Sequence, residues 1–103
     1  MELDRFTVVL LRWPDEMPDF SEAELEELQE GHIAFLAQMR EKGMQLAAGP
    51  FFDQADERLR GIAIFKTGLA ETRALLAEDP SVKAGRLAPE LATWMVPRGS
   101  LPG

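Results

Sequence analysis

One long helix with both ends written into the sequence constrains this chain more than any other feature. Ser21 is followed three residues later by Glu24, the pairing of a capping box, and Phe20 and Leu25 flank it as a hydrophobic staple. Arg40 and Lys42 fall in the last turn and Gly43 supplies the stop, so the spacing predicts a helix over residues 22–42. Leu25, Leu28, His32, Phe35, Leu36 and Met39 recur at steps of three and four, which turns all of them, the imidazole included, to one inward face.

The segments around that helix read as strands. Residues 6–13 form a β-branched and apolar run ending before Pro14, and 14–20 a loop. Residues 44–51 make a second strand with Gly49-Pro50 near its end, and 59–66 a third, joined to it as a hairpin through the polar stretch 53–58. An Ala- and Leu-rich helix over 69–78 stops at Asp79-Pro80, and 91–96 closes the chain as a fourth strand. The order βαββαβ predicts an α+β fold, a ferredoxin-like sandwich with a four-stranded antiparallel sheet and two helices on one face. Residues 1–96 read as a single domain and 97–103 as a flexible C-terminal tail.

Two helices cover one face of a sheet, yet strand residues of both parities are apolar. Phe6, Val8 and Leu10 alternate with Val9, Leu11 and Trp13, and Trp94 and Val96 with Leu91 and Met95. The uncovered face calls for a second copy, giving a two-fold homodimer with a cavity where the sheets splay.

Composition narrows the function classes. The formal net charge of -7 argues against nucleic acid and anionic membrane as partners, since both attract clustered Lys and Arg. The acids between Asp15 and Glu30 complement the positive helix end. No apolar run approaches the roughly 20 residues of a membrane span, and the Met-Glu-Leu-Asp start lacks the basic segment of a signal peptide, so the chain reads as cytoplasmic. Without cysteine and with one histidine there is no disulfide, thiol nucleophile or multi-histidine metal site. Gly49-Pro50 and Gly61 do not make a phosphate-cradling loop, and neither metal nor cofactor is expected.

His32, the sole histidine, is the candidate for acid–base chemistry because imidazole exchanges protons near neutral pH. The same position suits a hydrogen-bonded core histidine. Asp79 is the candidate second group, either oriented toward His32 or simply capping a short turn with Pro80 first, Lys83 in its last turn and Gly85 as its stop. One carboxylate can do both.

These residues together resemble the YCII (YciI-like) family. The likeness runs through Leu10-Leu11-Arg12, Leu28-Gln29-Glu30-Gly31-His32, Gly43, Ala48-Gly49-Pro50-Phe51, Leu59-Arg60-Gly61-Ile62, the run from Asp79 to Leu87, and Trp94. The resemblance implies a dimeric α/β barrel of ferredoxin-like protomers and a His32–Asp79 active-site pair. Some branches carry an arginine where this chain has Gln29, and relatives of its own branch a histidine where it has Ala92, so neither of those groups is carried over.

The expected function is a small cofactor-free enzyme, a lyase or isomerase, doing elimination, isomerisation or lactone-type chemistry on a small cyclic or aromatic metabolite. His32 acts as base, Asp79 orients the ring, and Trp13, Phe51 and Trp94 line the cavity. The alternative is a non-catalytic ligand-binding or assembly module with a structural histidine. Concavity separates the two, because a catalytic His32 opens onto a pocket and a structural one is enclosed.

Overall fold

A computed structural model describes residues 1–102. The elements are β1 (Leu3–Arg12), α1 (Glu22–Glu41), β2 (Gln45–Pro50), β3 (Leu59–Phe65), α2 (Leu69–Leu76), α3 (Pro80–Lys83) and β4 (Ala88–Pro97). The order is therefore βαββαβ, with the short α3 inserted before the last strand. The sheet runs β2-β3-β1-β4 with every neighbouring pair antiparallel. Each helical crossover, β1 to β2 and β3 to β4, leaves one strand between its ends, which is the split βαβ topology of a ferredoxin-like sandwich.

Helix α1 begins and ends where its local chemistry dictates. The Ser21 hydroxyl accepts from the Glu24 amide at 3.1 Å, and the Glu24 carboxylate accepts from the Ser21 amide at 2.9 Å. Gly43 takes φ of 74° just beyond the cap residue Lys42, a conformation that favours glycine. The backbone bond from Ser21, then its hydroxyl, hold the Glu24 carboxyl below its ordinary value.

The strand ends differ from the sequence expectation in ways the pairing explains. β1 starts at Leu3 because Asp4 and Arg5 pair opposite Val96 and Met95, so the charged leader joins the ladder. β4 starts at Ala88, ahead of the expected 91, and includes Pro89. A proline fits there because β4 is an edge strand. α2 ends at Leu76, since Glu78 and Asp79 amides bond to the carbonyls of Leu75 and Leu76 and turn the chain into α3. Past β4, the Arg98 amide reaches the Glu2 carbonyl at 3.1 Å and the Gly99 amide the Asp4 carboxylate at 3.0 Å.

The core lies between the sheet and the helices. Val9, Leu11, Ala63 and Phe65 from one sheet face pack with Phe35 and Met39 of α1 and Leu76 of α2. On the other face Val8 stands opposite Ile64, Leu10 opposite Ile62 and Phe6 opposite Trp94, and no helix covers them. Trp94 is 40% exposed there. Among the described residues, no helix is long and apolar enough to cross a membrane.

β2 and β3 approach each other most closely at Gly61, where a β-carbon would lie 2.8 Å from the Gly49 carbonyl oxygen. Backbone cannot retreat cheaply, so Gly61→Ala is expected to cost about 1–3 kcal/mol in urea unfolding. The cap gives a second expectation. A carboxyl held low in the folded state stabilises above its unfolded pKa, and that contribution is lost as pH falls through the folded one. Glu24→Gln should therefore flatten the acid limb of the stability profile measured by denaturation, and an unchanged limb would exclude the capping box as its source.

Candidate functional site

The site is built where α3 starts against the middle of α1. Asp79 is the N-cap of α3, with Pro80 at the first helical position, where a missing amide hydrogen costs nothing. One carboxylate oxygen of Asp79, Oδ1, accepts from the Ser81 amide at 2.9 Å. The Ser81 hydroxyl donates to the Leu28 carbonyl at 3.1 Å, tying α3 to the turn of α1 just before His32. Gly31 leaves room for this contact, since a β-carbon there would come within 3.0 Å of the Pro80 ring.

That packing aims the second oxygen of Asp79 at the histidine. His32 Nδ1 and Asp79 Oδ2 are 2.6 Å apart, with the Asp79 side chain fully buried and that of His32 13% exposed. An ionised carboxylate only accepts, so a neutral ring paired with it through Nδ1 carries its proton there and its lone pair on Nε2. Nε2 has no partner among the described residues. The imidazole is thus held in orientation from one side, and its other nitrogen is left for a group outside the protein.

His32 forms part of the wall of a cavity of about 340 Å³ between α1, the Gly49-Pro50 end of β2 and the segment following α3. Leu11, Ile33, Leu36 and Leu87 make the wall mainly apolar, and Trp13, Gln29, Arg60 and Arg86 add polar edges. The volume falls in the range of small-molecule sites. A larger depression of about 1320 Å³ runs along α1 beside Leu75 and Glu78, but it is shallow and does not reach His32. Among the described residues no three His, Asp or Glu side chains cluster as a metal site.

The residues expected from sequence are only partly brought together. His32, Asp79 and Trp13 meet at this site. Phe51 and Trp94 are not part of the cavity wall. Strand alternation puts Trp94 opposite Phe6 on the sheet face away from the helices, and Phe51 lies past β2, its amide bonded to the Arg60 carbonyl at 2.9 Å, while Gly49 and Pro50 take the wall position. Arg60, Arg86 and Gln29 were not anticipated as wall residues. The Arg60 guanidinium lies 4.2 Å from the Trp13 ring centroid. Simple alternation does not place Arg60 on the wall, because a register irregularity at Leu11/Arg12 falls beside it.

The chain is thus a ferredoxin-like α+β sandwich with a histidine–aspartate pair beside a concave wall. The chain belongs to the YCII-related domain family, whose pattern it matches over residues 8–90. Its fold is similar to that of 5-chloro-2-hydroxyhydroquinone dehydrochlorinase from Burkholderia phenoliruptrix, solved in complex with 2,5-dihydroxybenzoquinone. That likeness has a TM-score of 0.55 and 18% identity, covering 87% of this chain and 92% of the other. The likeness is one of fold. Comparison with curated proteins gives no match.

Two substitutions separate the duties of Asp79. Asp79→Asn keeps an oxygen for the Ser81 amide, whereas Asp79→Ala loses the cap, worth about 1 kcal/mol, and leaves His32 unpaired. Both should melt below wild type, the alanine variant lower. Nitrogen NMR should find the wild-type neutral ring protonated at Nδ1 and the asparagine variant shifted toward Nε2. The same tautomer in both would remove the carboxylate as its determinant.

Proposed function

We propose that this chain is a cytoplasmic enzyme of small-molecule metabolism in which His32, oriented by Asp79, removes and returns a proton on a small cyclic or aromatic substrate. In an elimination, Nε2 takes a C–H proton and the electron pair of that bond becomes a new double bond as the leaving group departs with its own pair. In an isomerisation the imidazolium returns the proton to another atom. In lactone-type chemistry the same nitrogen takes the proton from the attacking water or hydroxyl oxygen as that oxygen bonds to the carbonyl carbon.

The observation carrying the reading is that Nδ1 is held at 2.6 Å by a buried carboxylate while the ring lies on a cavity wall. An enclosed structural histidine would have no such opening. Family membership and the fold shared with a dehydrochlorinase of a hydroxylated, chlorinated ring are consistent with a small aromatic substrate.

The apolar sheet face supports a homodimer. Val8, Leu10, Ile62, Ile64 and Trp94 form a surface without a helix, and covering it with the same face of a second copy closes a two-fold assembly. Sedimentation should find a dimer at micromolar concentration, and Ile64→Asp should give a monomer. A monomeric wild type removes the shared assembly.

The function itself is tested by a thermal-shift screen of metabolites against wild type and His32→Ala, followed by turnover assays on the compounds that stabilise. His32→Gln is expected to lower kcat by about 10²–10⁴. Ligands that stabilise the protein without being converted would favour the binding-module reading, and turnover unaffected by the substitution would exclude His32 as the base.

A further inference from the structure

Charge is distributed unexpectedly around the cavity. The chain carries 18 Asp and Glu against 11 Lys and Arg. Yet among the described residues the cavity wall has no carboxylate and two arginines, Arg60 and Arg86. Asp79 lies behind His32 with both oxygens engaged, one by the imidazole and one by the Ser81 amide.

The two arginines are also unlike the third half-buried arginine of the fold. Arg12 is paired with Asp56 at 3.1 Å and reaches Glu90 at 4.0 Å. Arg60 and Arg86 are half-buried too, but among the described residues no carboxylate lies within 4.0 Å of either. Arg60 is nevertheless held in place: Trp13 lies under its guanidinium, and one of its nitrogens donates to the Glu57 carbonyl at 2.7 Å. Arg86 lies three residues past the end of α3, its backbone amide bonded to the Ser81 carbonyl at 2.9 Å, so it is anchored to the turn that carries Asp79. Partial removal of a guanidinium from water without a counter-charge is costly, and a bound anion supplies the missing partner.

We propose that Arg86 and Arg60 form an anion subsite, and that the cavity takes a small planar organic anion whose charge is a delocalised carboxylate or phenolate-type oxygen. The proposal shares its cavity with the acid–base reading above and rests on it for the position of the reacting proton. The apolar wall of Leu11, Ile33 and Leu36 receives the ring, the guanidinium groups fix the oxyanion, and the substrate is thereby oriented toward His32 Nε2. Trp13 is then a positioning residue for Arg60. In a chain of net charge -7, a locally positive cavity also concentrates anions that the rest of the surface repels.

The test is equilibrium binding to the full chain by calorimetry and NMR, with two anions and their neutral counterparts. Benzoate is compared with benzamide, and 4-nitrophenol in alkaline buffer, as the phenolate, with nitrobenzene. At least one anion is expected to bind about tenfold or more tightly than its neutral counterpart, to shift the Arg86 and Arg60 side-chain resonances, and to weaken with added salt. Benzoate against phenolate tells which oxyanion is preferred. Arg86→Gln and Arg60→Gln should each erase most of the anion preference, and Arg86→Lys should keep part of it through charge without the planar fork. Circular dichroism establishes which variants are folded, and the lysine and Arg60 variants carry the test if Arg86→Gln is not.

Equal affinity for anion and neutral compound, undiminished anion binding in folded glutamine variants, or no binding of either anion at about 10 mM overturns the subsite. None of these readouts needs turnover. Arginine-dependent anion binding without any conversion would count against His32 chemistry alone, whereas His32-dependent turnover with no charge preference would count against the subsite alone.

Discussion

The Asp79 carboxylate is the junction on which the site depends. It is fully buried, and a buried carboxylate is tolerable only when its lone pairs are satisfied. One oxygen starts α3 by accepting the Ser81 amide, and the other pairs with His32 Nδ1 on α1, so a single side chain joins two helices and orients the imidazole. Local folding and site chemistry are therefore one constraint. The cap and the histidine contact, which the sequence allows to hold together, are made by the two oxygens of the same group.

Close approach makes that junction possible. Gly31 in the interior of α1 sacrifices roughly 1 kcal/mol of helix propensity relative to alanine. In return the Pro80 ring sits where a β-carbon would intrude, and the Ser81 hydroxyl reaches the Leu28 carbonyl. The motif Gly31-His32 is thus a packing residue next to the group it positions. On the far side of the ring, the sheet end and the segment after α3 complete a cavity whose wall is apolar apart from Gln29, two arginines, Ser81 and the imidazole.

The sheet divides its two faces between different tasks. Thr7, Val9 and Leu11 turn toward the helices, while Phe6, Val8 and Leu10 turn away to a face with no helical cover. Trp94 goes with the second set and Trp13 with the cavity. Aromatic residues that look equivalent in composition are separated by the parity of a strand.

Much of the architecture is legible in the sequence because its signals are local. The capping box at Ser21 and Glu24, the left-handed Gly43 and Gly85, the stop at Asp79-Pro80 and the β-branched runs act within a few residues, and the βαββαβ order follows from them. His32 could be nominated as inward-facing from helical spacing alone. Tertiary structure alone decided that Asp79, 47 residues away, lies 2.6 Å from it, that Arg60 and Arg86 share its cavity, and that Phe51 and Trp94 do not. The reason is physical: caps and alternation are set by neighbours along the chain, whereas the meeting of α1 with α3, and the side of the sheet on which a strand-end residue emerges, depend on packing angles and on a register shift at Leu11/Arg12 that no local pattern encodes.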